Sequence, residues 1–307
     1  MFAARSAIVC LAFFAVMYGT LSCGVASGWW ILRRRRQMKA PGPAGLLFAL
    51  RIFPLTFSVL VAIFFTLPSF WLMERRAFDE DATTLLLAGL ALLLLTAGVV
   101  RVLRARSRTG LAVREWLRQS DSAEKPGSAD MIAAKGAPAL MLVGICRPKV
   151  MVSDMAAAVL SDSELRVAVR HELGHRHSWD NLKKLLINAT SFPGMSRIER
   201  DWRAAAELAA DDSAVETRLD ALDLASALIK LSRSSQQWLE PELASGLVCT
   251  SSEISLRVQR LLEWRIRPRI QRTWAWALPS VLIVSIVASY YGTALVLTHR
   301  LTELLVP

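Results

Sequence analysis

Histidine is scarce in this chain of 307 residues, with 4 in all, and that scarcity gives weight to where they fall. His171, His175 and His177 lie within seven residues of one another, a clustering that scattered surface histidines have no reason to show. Cysteine is equally rare at 4 residues, Cys10, Cys23, Cys146 and Cys249, with no CxxC pair. That excludes a disulfide scaffold and a cysteine-rich metal site, and fits free thiols in a reducing compartment. Acidic residues number 26 against 37 Lys and Arg, leaving a net charge of +11. No Arg- and Lys-rich helix with interleaved aromatics stands apart from the apolar segments, so direct nucleic-acid binding is not the reading of that excess.

Charge is missing altogether from four long stretches: Ile8 to Leu32, Ile52 to Met73, Thr83 to Val100 and Trp274 to Thr298. Each is long enough to cross the apolar part of a bilayer as a helix. Arg33 to Arg36 follow the first stretch directly, which suits an uncleaved anchor better than a cleaved leader. The basic clusters Arg33 to Lys39, Arg101 to Arg108 and Arg257 to Arg272 fall on one side of an alternating four-pass arrangement. By the positive-inside rule that side is the cytoplasm. The loop Glu74 to Asp81, with four acids against Arg75 and Arg76, suits the opposite face. The net positive charge then serves juxtamembrane contact with anionic lipid.

Residues 1–103 therefore read as an N-terminal membrane region, 104–270 as a cytoplasmic domain, and 271–307 as a fourth span with a short external tail. The domain opens with a basic amphipathic stretch, Arg104 to Arg118, expected to lie along the membrane surface. A Ser, Gly and Pro-rich linker, Ser120 to Asp130, comes next. Strand-like runs Ala139 to Ile145 and Lys149 to Ser153, joined at Arg147-Pro148, predict a hairpin. Ser161 with Glu164 three residues later forms a capping-box signal for a helix over 162–178. Further helices are expected at Asp180 to Ala189 and, after a Pro193-Gly194 turn, at Met195 to Arg218. The sequon Asn188-Ala189-Thr190 lies on the cytoplasmic side, away from the glycosylation machinery, and reads as chance.

The helix over 162–178 carries His171-Glu172-Leu173-Gly174-His175, the HExxH pattern. Imidazoles four residues apart stand on one helical face, where both reach one tetrahedral zinc ion. Glu172 stands beside them, placed to take a proton from a metal-bound water. A catalytic zinc also needs a third protein ligand and an open position. Glu199, Asp201, Glu207, Asp211, Asp212 and Glu216 are within reach. Glu207 is the best placed, because Ala204, Ala205, Ala206, Ala209 and Ala210 around it let its helix pack closely on the motif helix. Asp211, one turn on, is placed to accept the second ring N–H of a ligand histidine. His177 falls on a different face and reads as a surface or capping residue. Asp180 reads as structural, and Trp202, Trp238 and Trp264 as packing anchors.

Taken in order, Val143 to Val150, Leu160 to Leu165, the HExxH turn, Glu207-Leu208-Ala209-Ala210-Asp211, Ala227 to Leu231 and Leu256 to Leu262 resemble the bacterial antirepressor membrane metallopeptidases of the BlaR and MecR type. The resemblance implies a mostly α-helical integral membrane protein of the bacterial inner membrane. It has four transmembrane helices and a cytoplasmic α+β, zincin-like (gluzincin) peptidase domain between the third and fourth. It implies one catalytic zinc ion on His171, His175 and Glu207, with Glu172 as base and Asp211 supporting a ligand, and a protein substrate such as a transcriptional repressor. Sensor members carry a penicillin-binding domain after the fourth span. Here Pro307 follows Thr298 by nine residues, and that domain is not expected. Two alternatives stand beside this reading: an HtpX-like membrane quality-control protease, and a non-catalytic transducer whose zinc staples helices.

Overall fold

A computed structural model describes residues 2–36, 42–73, 81–119, 131–133, 140–145, 148–234, 244–246, 251–265 and 289–305. The protein is mostly helical, and among the described residues three helices are long and apolar enough to cross a membrane, at Ala3–Arg35, Ala44–Met73 and Ala82–Trp116. The first lies in α1 (Phe2–Arg36). The second is α2 (Ala44–Val61), a π-helical turn at Ala62–Thr66 and α3 (Leu67–Met73). The third is α4 (Ala82–Gln119).

Pro68 has no N–H to offer the Phe64 carbonyl four residues back, and that carbonyl instead accepts from the Tyr291 hydroxyl at 2.9 Å. Tyr291 opens α11 (Tyr291–Leu305), which packs on α3 and the π turn. Residues 299–305 are thus helical, where a short tail was expected. Most of the expected fourth span, 274–298, lies outside the described residues, as do the 120–130 linker, most of the 74–81 loop, the Arg147 side of the 147–148 turn, Trp238, Cys146 and Cys249.

Small residues set the level at which the three helices meet. Ala62 and Ala91, halfway along the charge-free stretches 52–73 and 83–100, share a buried cluster with Phe14, Ala15 and Tyr18 of α1. The middle of α1 by packing is thus Phe14–Ala15, several residues before the middle of the expected 8–32 span. Beyond that level α1 and α4 run on as continuous helices. The stretch 104–118 does not form a separate surface helix, because its charges end the apolar run without breaking the helix. Its end, with Val113 and Trp116, packs on Met141 and Met151 of a sheet.

That sheet has four short strands in the order β1-β3-β2-β4: β1 (Met131–Ala133), β2 (Leu140–Val143), β3 (Lys149–Val152) and β4 (Ala244–Gly246). The expected hairpin is present, β2 antiparallel to β3 with Leu140 opposite Val152. Alternation puts Met141 and Met151 against α4, and Leu140, Leu142, Val150 and Val152 into the main core. β3 is interior, paired on its other side with β1, so its edge at 149–153 is not free to take an added strand.

The core's helices are α5 (Asp154–Val159), α6 (Asp162–His177), α7 (Asp180–Ala189), α8 (Ser196–Ala214), α9 (Arg218–Ser234) and α10 (Ser251–Leu262). The α6 capping box forms as read, Ser161 with Glu164. The Glu164 carboxylate also accepts from Ser226 Oγ at 2.6 Å and Lys230 Nζ at 2.8 Å, tying the start of α6 to α9. The helix expected over 195–218 ends at Ala214. Thr217 Oγ1 accepts from the Asp220 N–H at 3.1 Å and Asp220 Oδ2 from the Thr217 N–H at 3.0 Å, a reciprocal cap that starts α9 instead.

Candidate metal centre

Helix α6 presents His171, Glu172 and His175 on the face it buries, all essentially without solvent exposure. Helix α8 crosses it closely at Gly174, where an added methyl would collide with Ser213 Oγ and touch Ala210. Of the alanines read from the sequence, Ala210 lies at this contact, whereas Ala205 and Ala206 are buried with Trp29, Leu47 and Trp202 on another side of α8. The crossing brings Glu207 to the two imidazoles. His171 Nε2 lies 3.5 Å from Glu207 Oε2, His175 Nε2 lies 3.4 Å from Glu207 Oε1, and the two Nε2 atoms are 3.2 Å apart. A tetrahedral ion with bonds of about 2.0–2.1 Å holds its ligand atoms about 3.3–3.4 Å from one another. His171, His175 and Glu207 thus form a group that could hold a metal ion, and a nitrogen, nitrogen, carboxylate set at this spacing suits zinc.

Each imidazole is held from behind through Nδ1, which leaves Nε2 to face the centre. His175 Nδ1 is hydrogen-bonded to Asp180 Oδ2 at 2.7 Å. His171 Nδ1 lies 3.0 Å from Asp211 Oδ1, an ion-pair contact without an aligned hydrogen bond. Asp211 lies behind His171, and Asp180, read as structural, holds the His175 ring. The signal for it was its spacing of five after His175. The chain doubles back between them through Trp179, whose φ of 57° is in the left-handed region.

A further residue was not found by sequence reasoning. Arg257 of α10, 2% exposed, donates from Nε to Asp211 Oδ2 at 2.9 Å, from Nη2 to Asp211 Oδ1 at 2.6 Å and from Nη1 to Glu207 Oε2 at 3.0 Å. It stood in the sequence as one member of a basic cluster and of the Leu256 to Leu262 run, with no role of its own.

The other acids are engaged elsewhere. Glu199 pairs with Arg51 at 2.8 Å, Asp201 with Arg33 and with Trp29 Nε1, Asp212 with Arg260 at 2.6 Å, and Glu216 with Arg170 at 4.0 Å. His177 is exposed and apart from the triad, as expected. Trp202 is buried with Trp29 and Leu47, and Trp264 packs on the main core.

Electrostatics sort the group. Burial opposes charge on every member, but the carboxylates around His175, Glu207 first and then Asp180, push its imidazole up to about 10. His171 is raised in the same way by Asp211 and Glu207. Against burial, the His175 and Arg257 charges hold Glu207 well below the usual carboxylate range, and Arg257 lowers Asp211. A cation at the triad would thus meet a ready anionic ligand and displace protons from the two rings. Glu172 differs: burial pushes it up to about 7, and both its oxygens lack a hydrogen-bond partner among the described residues. A buried carboxylate without partners is costly unless a ligand or water meets it.

Neither a protein-family model nor a curated protein matches the chain.

Proposed function

We propose that the protein is an integral-membrane zinc metalloendopeptidase that cuts a cytoplasmic or membrane protein in regulatory proteolysis, as its resemblance to the antirepressor peptidases implies. The observation that carries this reading is the pairing of a preformed His171, His175, Glu207 triad with the buried, unpartnered carboxylate of Glu172 beside it. Zinc bound there would supply Lewis acidity, lowering the pKa of water and polarising a peptide carbonyl. Glu172, pushed toward neutrality, accepts the proton of the attacking water and returns it to the leaving amine nitrogen. Asp180 and Asp211 keep the two rings facing inward, and Arg257 holds Glu207 and Asp211 in register. A zinc staple would have no use for Glu172, which disfavours the non-catalytic alternative. The basic clusters after the first and third apolar stretches support a site on the cytoplasmic face of a bacterial inner membrane, by the positive-inside rule.

The test is Glu172→Gln in purified full-length protein. Hydrolysis of an unfolded casein fragment should disappear with zinc still bound at the wild-type stoichiometry; persisting hydrolysis overturns the mechanism.

A further inference from the structure

Helix α7 and the start of α8, the helix that carries Glu207, are sunk into the apolar bundle. Thr190, at the end of α7, offers its carbonyl to the Tyr18 hydroxyl at 2.8 Å, and Phe192 packs edge-on against the Tyr18 ring. Upstream, the Ala189 carbonyl lies so close to Gly98 of α4 that no side chain would fit there. Tyr18 and Phe192 belong to the same cluster as Ala62 and Ala91, which mark the middle of two candidate spans. The turn between α7 and α8 therefore penetrates the depth that lipid would surround.

From this frame the distance of the triad from the membrane can be bounded. Arg51, fully buried and paired with Glu199, is eleven residues from Ala62, or about 16 Å at roughly 1.5 Å per residue. This coincides with the edge of an apolar slab whose half-thickness is about 15 Å. Trp29 and Arg33, which hold Asp201, mark the next level. Trp29 is about 21–22 Å along α1 from Phe14–Ala15, so Asp201 lies roughly 7 Å outside the slab. Glu207 follows Asp201 by six residues on the same helix, a displacement of at most about 9 Å. The triad is thus no more than about 16 Å beyond the apolar slab, of which the headgroup layer takes roughly 5–7 Å. Tilt of any helix only shortens these values.

We infer that the site acts on polypeptide that is itself anchored in the membrane, cutting it in the segment just outside the bilayer. This rests on the peptidase reading and narrows its substrate class. An extended chain gains about 3.3 Å per residue, so a segment leaving the apolar slab reaches the triad after about five residues. A substrate held in the same membrane meets the site at an effective concentration that a free protein does not match. The tethered chain also needs no separate docking surface to stay there.

The test uses the full chain in vesicles of phosphatidylcholine with phosphatidylglycerol as the minority lipid. Its probe is one unfolded casein fragment, supplied either free or fused at one end to a single apolar transmembrane helix. The anchored form should be cut at least about tenfold faster, with cuts mapped by mass spectrometry confined to about 5–15 residues from the anchor. A second measurement does not need activity. A nitroxide carried by His177→Cys, with the 4 native cysteines replaced by serine, should report a depth within about 20 Å of the apolar boundary. Equal rates for free and anchored fragments, cuts spread evenly along the anchored one, or a nitroxide far out in bulk water each overturn this inference and leave the peptidase reading standing. No zinc-dependent cleavage of either fragment overturns the peptidase reading, and this inference with it.

Discussion

Arg257 grips Asp211 with two nitrogens, Nε at 2.9 Å and Nη2 at 2.6 Å, and reaches Glu207 with the third at 3.0 Å. One guanidinium from α10 thus fixes both the acid that faces the metal position and the acid behind His171. The planar fork is what makes this possible, and a lysine ammonium cannot reproduce it. Arg257→Ala should weaken zinc binding about 10–100-fold, with Arg257→Lys recovering little of the loss. Competition against a zinc-chelating dye measures this. Unchanged affinity in Arg257→Ala would show that α8 holds Glu207 unaided.

Glu172 and the three metal-facing residues should separate cleanly by experiment. Glu172→Gln keeps the shape and removes the proton acceptor, so zinc content should stay within about twofold while hydrolysis falls by about 10²–10⁴. Glu207→Gln should lose both together, since a neutral amide is a poor ligand for zinc. Metal analysis and rate, measured on the same preparations, distinguish the two cases. Chelation of the wild type should match Glu207→Gln, with activity returning on zinc addition.

The α6 cap, α7 and the β2–β3 hairpin were readable because each rests on spacing within one element or between neighbouring ones, and the meeting of Glu207 with the histidines because small residues such as Ala210 let α8 approach α6. Arg257 was not, because it arrives from 50 residues beyond Glu207 and no local periodicity joins them. β1 and β4, three residues each, are too short to show alternation, so the sheet's order was hidden and only the β2–β3 pair was readable. The charges after Val100 marked the end of lipid burial, which is a different boundary from the end of α4. The Thr217–Asp220 cap was present in the sequence as a T-x-x-D spacing and would have ended α8 where it ends.

Close approach of α6 and α8 can be tested at Gly174. A methyl there meets Ser213 Oγ, which now donates to the Ala210 carbonyl at 2.8 Å, while the Ala210 backbone stands at ordinary contact distance. Serine can turn away only by giving up that bond. Gly174→Ala should cost about 1–3 kcal/mol and loosen zinc binding, and the double change Gly174→Ala with Ser213→Ala should restore most of both. Thermal unfolding with and without chelator reads the two effects. No rescue in the double variant would place the obstruction on the α8 backbone.

Away from the triad, acid should act on stability through Glu164. Burial works against its charge, but Lys230, Ser226 and the Ser161 N–H together lower the carboxyl from 4.5 to about 2. The folded value is depressed, so the stabilisation is complete above the unfolded value of 4.5 and drains away as pH falls toward about 2. Glu164→Gln keeps part of the cap and loses the ionic contact with the partly exposed Lys230. At neutral pH the variant should unfold more readily by about 1–2 kcal/mol. Measured from pH 7 downward, the gap between the two proteins should stay constant to about pH 5, shrink below 4.5 and close near pH 2. A gap that persists unchanged at pH 2–3 would assign the loss to packing at the α6–α9 contact, because packing does not titrate.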